Sequence, residues 1–284
     1  MNWQCFRITF ELLSPLHIGF HKVGSVQRTR HYVPARNLLA STAESFVRSG
    51  LLAPSYGGAL CWVQEHLAFS YFFVDEGQEL MPHYTDEGLK YGGLCQECFD
   101  RRYISAHVTT AIDASVGSAE DGSLHEVEFI SPHILDDAPH FTRTQMTGHI
   151  FVRDDAWKSA GEETALKSRL AELQVGGERR YGFGRLRLAG CKPSNSICGT
   201  ALTLGTPRPR LQLAKDSCFL AHVPVGGVPA RGMVEPLVGR VTQADSSTYG
   251  RRLTRSGICW VPGSVSEAAR TFEFAEEGIW TKAN

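Results

Sequence analysis

The chain has 284 residues, 42% hydrophobic and 21% charged, a composition ordinary for one large or two small folded domains and foreign to a low-complexity protein. No apolar run reaches the ~20 residues that cross a bilayer. The segment Met1 to Arg7 lacks the basic and apolar regions of a signal peptide, so a cytoplasmic protein with eight reduced cysteines is expected, not a disulfide framework.

The net charge of −1 hides a strong asymmetry. Residues 1–50 hold six Lys/Arg against two Glu, and residues 176–255 hold thirteen against four acids. Residues 71–140 hold three against fourteen. Phosphate binding follows local charge, so a near-neutral chain can still own a basic groove.

Phe6, Ile8, Phe10 and Leu12 alternate with Arg7, Thr9 and Glu11, which predicts a strand with one buried face. Pro15 ends it. A loop is expected from Leu16 to His31, with Lys22, Arg28 and Arg30 and no acid. Pro34 suits a first helical position, Leu38, Leu39, Thr42, Phe46 and Val47 give a helical stripe, and Gly50 stops it. Phe69 to Val74 predicts a second strand. Residues 75–102 are acidic and without periodicity, and a stretch of that length inside a domain predicts an insertion. Strands follow at 103–112, at Val127 and Phe129 beyond an Asp121-Gly122 turn, and at 145–153. Ala165, Leu166, Leu170 and Leu173 predict a second helix, ended by Gly176-Gly177, and a last strand runs from Gly184 to Leu188.

This order predicts an α+β, ferredoxin-like (RRM-like) domain over residues 1–190, interrupted by an insertion at about 75–102. Residues 191–284 carry short strand signals at 218–223, 238–242 and 258–261, with Gly and Pro turns. They predict a second, β-rich lobe.

The segment Gly176-Gly177-Glu178-Arg179-Arg180-Tyr181-Gly182-Phe183-Gly184-Arg185 concentrates the chemistry. Glycines admit close backbone approach, successive N–H groups can cup an anion, and arginine forks match phosphate. Tyr181 and Phe183 offer faces for a base to stack on. It is neither a Walker loop nor a dinucleotide fingerprint, since it follows a helix and precedes a strand.

This loop resembles the glycine-rich loop of RAMP-superfamily proteins of CRISPR complexes. Other segments resemble the family in the same order: Ser14-Pro15-Leu16-His17-Ile18-Gly19, Tyr32 to Ala40, Thr110 to Asp113 with Ala119 to Glu128, Trp260 to Ser264, and Gly278-Ile279-Trp280. The likeness touches residues 6–280 in patches. It implies three roles: a backbone subunit along the guide RNA, a subunit capping the guide's repeat-derived 5′ handle, or a precursor-processing endoribonuclease. Target cutting by backbone subunits uses an Asp in the loop after the first strand, and residues 20–31 contain no Asp or Glu. In processing nucleases the glycine-rich loop lies near the chain end, whereas about a hundred residues follow it here.

The expectation is therefore a non-catalytic capping subunit that nucleates assembly, with a non-cleaving backbone subunit or a metal-independent nuclease using His17, His21 or His31 as alternatives. The RNA-facing set is Lys22, Arg28, Arg30, His31, Arg36, His107, Thr109, Thr110, Gly176, Gly177, Arg179, Arg180, Tyr181, Gly182, Phe183, Gly184 and Arg185. Arg251, Arg252 and Arg255 add a basic cluster facing RNA, a neighbouring subunit or solvent. The resemblance implies guide RNA, sibling backbone subunits, an effector nuclease or large subunit, and indirectly target RNA or DNA as partners, with no membrane. Cys95 and Cys98 have the spacing of half a zinc knuckle, completed by His83 or Cys61, so structural zinc is the one expected cofactor.

Overall fold

The computed structural model describes residues 2–50, 55–136, 139–156, 163–241 and 252–283, with all their side chains except those at 163–166, 240, 241, 252, 254–256 and 276. In chain order the first elements are β1 (Trp3–Leu12), β2 (Gly19–Val23), β3 (Val26–Thr29), β4 (Tyr32–Val33), α1 (Ala35–Arg48), α2 (Tyr56–His66), β5 (Leu67–Phe69) and β6 (Phe72–Asp75). Then come β7 (Pro82–Thr85), β8 (Gly88–Tyr91), β9 (Leu94–Cys95), α3 (Gln96–Tyr103), β10 (Ile104–Thr109), β11 (Ile112–Asp113), β12 (Ser118–Ala119) and β13 (His125–Ile130). The half closes with β14 (Gln145–Arg153), α4 (Glu163–Leu170), β15 (Glu172–Gln174) and β16 (Arg185–Ser194).

The main sheet has the order β15-β16-β1-β14-β6-β4, with β5 also on β14. Its four principal strands, β16, β1, β14 and β6, stand in the 4-1-3-2 order of a ferredoxin-like domain, so the predicted mixed α+β architecture is present. β1 is central because it buries Phe6, Ile8, Phe10 and Leu12 at every second position. It pairs antiparallel with β14, Ile8 opposite Gly148, and with β16, Ile8 opposite Cys191. Leu38, Leu39, Thr42 and Phe46 on α1 are buried as the stripe predicts, and Val47 is half-buried. Pro34 is the cap and Ala35 the first helical residue, one position later than expected.

Four expectations need correction. The loop after β1 is a hairpin, β2–β3, whose tip Gly24 has a left-handed backbone. The strands β10 and β13 do not join the main sheet. They form a separate sheet of order β10-β13-β3-β2, so the insertion between β6 and β14 runs well past residue 102. α2 was not predicted: it opens on Tyr56-Gly57-Gly58, and Ser55 caps it by accepting from Gly58 N at 3.2 Å. Leu173 lies in β15, not in the second helix. It follows Leu170 at helical spacing, but with Val175 it also alternates against Glu172 and Gln174, and pairing with Leu186 selects the strand.

The later strands are β17 (Ser196–Ile197), β18 (Thr200–Thr203), β19 (Arg210–Leu213), β20 (Val223–Pro224), β21 (Ala230–Arg231), β22 (Val234–Val241), β23 (Arg252–Trp260), β24 (Val265–Ser266), β25 (Arg270–Phe274) and β26 (Trp280–Lys282). They build a five-stranded sheet, β17-β18-β19-β25-β26, a three-stranded sheet, β20-β23-β22, and the pair β21–β24. Phe219, Phe272, Phe274 and Trp280 fill this β-rich region, and Phe274 meets Phe151 of β14 at 4.6 Å between ring centroids. One buried apolar cluster thus runs from the main sheet into the later strands. No helix among the described residues is long and apolar enough to cross a membrane.

Candidate nucleic-acid interface

The glycine-rich loop is mounted on the exit of β1. Gly177 N donates to His17 O at 2.9 Å, Gly184 N to Pro15 O at 2.7 Å, and Arg185 N to the Ser14 hydroxyl at 2.9 Å. Gln174 Nε2 holds the carbonyls of Arg179 and Phe183, both at 3.0 Å. These bonds explain two of the glycines. A Cβ on Gly176 would lie 2.3 Å from His17 O, and one on Gly184 would lie 1.8 Å from Val175 O, both at positive φ. The close approach that demands glycine is to the protein's own backbone. The expected cup of free N–H groups is largely closed: those of Gly177, Tyr181, Gly182, Phe183, Gly184 and Arg185 all donate within the chain.

The loop's side chains divide in two. Phe183 is buried against Phe129 of β13, ring centroids 5.5 Å apart, so it ties the loop to the second sheet and offers no face to a base. Arg179 turns inward to form an ion pair with Glu44 of α1. Arg180, Tyr181, Gly182 and Arg185 remain exposed, with Tyr181 at 77%. A 3₁₀ turn over Arg179–Tyr181 holds the exposed group.

Lys22 is exposed on β2. Arg28 is half-exposed and paired with Glu128 at 2.8 Å. Arg30 is not a surface clamp. It is buried, with Nη1 on Glu235 at 2.7 Å and on the Tyr32 hydroxyl at 2.9 Å, and its guanidinium lies 4.6 Å over the Phe20 ring. His31 is also interior: Nδ1 meets the Tyr91 hydroxyl at 2.7 Å, Nε2 lies 3.3 Å from Asp100 Oδ1, and the ring stacks on Phe99. Burial drops its pKa to about 4, so it is neutral at pH 7. Arg36 reaches across to Val238 O of β22 at 2.8 Å, so it is not free at its helix end. On the second sheet His107 is exposed, Thr109 bonds the His125 ring at 2.8 Å, and Thr110 bonds the Ser123 hydroxyl at 2.7 Å. Arg251 and the Arg252 and Arg255 side chains lie outside the described residues.

Arg28, Arg30 and His31 do converge, on a cleft of about 700 Å³ that the sequence did not reveal. The β2–β3 hairpin supplies Phe20 and His21, the insertion supplies Pro82, Tyr84, Leu89, Tyr91 and Gln96, and the later strands supply Met233, Val234, Glu235, Val261 and Pro262. One lining residue, Glu235, ends a buried chain of polar groups that runs away from the cleft. The Tyr71 hydroxyl lies 2.8 Å from His222 Nδ1, and His222 Nε2 lies 2.6 Å from Glu235 Oε1. Burial lowers the His222 pKa, so the ring is neutral, which makes Nε2 the donor to Glu235 and Nδ1 the acceptor from Tyr71. Burial works against the Glu235 charge, but the His222 hydrogen bond and the Arg30 charge outweigh it and hold its pKa below the carboxylate range. No local motif pointed to Glu235 or His222. Their role follows only from the fold.

The two sulfurs of Cys95 and Cys98 are joined at the start of α3. His83 pairs with Lys90, and Lys90 with Cys95, which sets His83 two strands from Cys95, about 10 Å at ordinary strand spacing. Cys61 belongs to α2. Among the described residues no three metal-binding side chains gather, so these groups do not fit a zinc site within the chain.

No family model and no curated protein matches this chain. Solved structures do. A chain of the type III-B Cmr-beta complex bound to cognate target RNA and AMPPnP superposes with a TM-score of 0.54 over 92% of this chain and 86% of its own length, at 12% identity. A chain of Cmr-beta bound to cognate target RNA gives 0.53 over the same shares, at 13% identity. At such identities the likeness is one of fold.

Proposed function

We propose that this chain is an RNA-binding subunit of a type III CRISPR ribonucleoprotein that holds the repeat-derived 5′ handle of the guide without cutting it, and that seats sibling backbone subunits beside it. The observation that carries this reading is the exposed turn of Arg180, Tyr181 and Gly182 with Arg185, rigidly bonded to the β1 exit. Two guanidinium forks and an open aromatic face on a fixed mount suit a single strand with splayed bases. The fold likeness to chains of RNA-bound Cmr-beta complexes supports the same reading. The non-catalytic part is supported by the histidines. His17 is buried, its Nδ1 at 2.6 Å from Glu128 O, and His31 is neutral and engaged, which leaves His21 as the exposed member of the trio.

Fluorescence anisotropy with a labelled handle RNA tests it. Arg180→Ala, Tyr181→Ala and Arg185→Ala together should weaken binding by about tenfold or more and flatten the salt dependence by roughly two phosphate contacts. Arg179 is left in place because it anchors the loop through Glu44. Unchanged affinity in a folded variant sinks the reading. Cleavage of the handle RNA by the wild-type chain restores the nuclease alternative.

A further inference from the structure

We propose that Cys95 and Cys98 form a reversible dithiol–disulfide site, a thiol-modification site whose state sets the wall of the cleft, and not half of a zinc knuckle. The inference begins from the misfit of the metal. Both cysteines are exposed, their Cα atoms stand 5.1 Å apart, and the ligands that would complete a tetrahedral site are absent around them among the described residues. What surrounds them favours sulfur exchange instead. Cys95 caps α3, and the backbone N–H of Cys98 points at Cys95 Sγ from 3.2 Å. An N–H aimed at sulfur from a helix N-terminus stabilises a thiolate, the attacking form in exchange.

The oxidant is a low-molecular-weight disulfide, RSSR. The Cys95 thiolate attacks one of its sulfurs, forms a mixed disulfide and expels RS⁻. The Cys98 thiolate then attacks the Cys95 sulfur, closes the Cys95–Cys98 bond and expels the second RS⁻. The two cysteines lose two electrons and two protons, and two RSH are the products. Excess dithiol reverses both steps.

The first turn of α3 connects this chemistry to the cleft. Gln96, between the two cysteines, lines it. Asp100, four residues on and hence on the same helical face, stands beside His31, which also lines the cleft. Phe99 and Tyr103, fully buried at the next positions of the same stripe, hold the rest of the helix in place. Reduction therefore loosens the first turn and Gln96 without releasing the helix.

The full-length chain is incubated with oxidised glutathione, alkylated with N-ethylmaleimide, digested and analysed by mass spectrometry. The expected result is a Cys95–Cys98 peptide bonded within itself and free of maleimide, while exposed Cys61 is not so protected, with dithiothreitol restoring both thiols. Alkylation of both after oxidant, or one equivalent of zinc shielding them in the purified protein, overturns the proposal. Hydrogen exchange over residues 96–103 should be faster in the reduced than in the oxidised protein, with β1 unchanged. Equal rates overturn the link to the cleft. Relevance to RNA rests on the function proposed above and is read separately. Handle affinity should differ about fivefold or more between redox states, the lower end of the usual size of such coupling, and not at all in the Cys95→Ser/Cys98→Ser variant. No binding in either state sinks the RNA reading and leaves the thiol chemistry standing on the first two measurements.

Discussion

The glycine-rich loop and the cleft behind the β2–β3 hairpin are built in opposite ways. The loop is ten consecutive residues whose glycines, arginines and aromatics announce themselves in the sequence, yet much of that chemistry faces inward. Gly176 and Gly184 clear room for the backbone of His17 and Val175, Phe183 is core, and Arg179 is a tether. The cleft takes its walls from three distant segments and has no motif, yet it gathers Arg28, Arg30 and His31, and Arg30 meets there the Glu235 end of a buried Tyr71–His222–Glu235 chain. A dense local motif can be mostly scaffold, and a scattered set of residues can be the better-formed concavity.

The largest effect that tests this contrast is on stability. Gly184→Ala should cost about 5 kcal/mol or abolish folding, because its Cβ meets Val175 O at 1.8 Å in a left-handed backbone. Gly182→Ala, equally left-handed but with nothing within 4 Å of a Cβ, should cost only about 1–2 kcal/mol. Urea midpoints of the two variants check this. Equal, small losses would mean that the loop does not need its glycines for packing, and the ligand-approach explanation would return.

On the cleft side, Glu235→Ala leaves Arg30 buried without its carboxylate and His222 without an acceptor. Removing one partner of a buried pair should cost roughly 3–5 kcal/mol. Arg28→Ala, against the exposed end of its Glu128 pair, should cost less than about 1 kcal/mol. Thermal unfolding of both variants separates the buried network from the surface pair. Similar midpoints would mean that the network under the cleft holds nothing in place.

The sequence made the main sheet legible because its strands alternate and its first helix carries a full stripe, and residues such as Phe6 to Leu12 and Leu38 to Phe46 fall where the pattern puts them. It hid α2 behind Gly57-Gly58, and it hid the second sheet because β3 and β13 pair across a hundred residues, Val26 beside Glu126. Within the site, charge was legible and burial was not. Nothing in the stretch Arg28-Thr29-Arg30-His31 distinguishes the half-exposed Arg28 from the buried Arg30, since that difference is made by Glu235, two hundred residues away.

The smallest predicted effect uses acid to distinguish the two regions. His31 has its pKa lowered from 6.5 to about 4 by burial first and the Arg28 charge second. The unfolded chain therefore binds a proton there that the native state refuses, and stability falls as pH drops from about 6.5 toward 4. Asp100 beside it has its pKa raised from 3.8 to about 6, mainly by desolvation. The native state then holds a proton that the unfolded chain releases, so this contribution is full below 3.8 and is lost as pH rises through about 6. The two neighbouring groups thus oppose each other over the same window, while buried His149, also lowered to about 4, adds an acid loss from within the main sheet. Wild-type protein should lose stability moderately between pH 6.5 and 4. Asp100→Asn removes the offset and should steepen the loss, and His31→Phe should make it shallower. Thermal midpoints across that range decide it. If neither substitution changes the slope while both variants remain folded, His31 and Asp100 do not titrate as neighbours, and the contact between them is not the one the protein holds in solution.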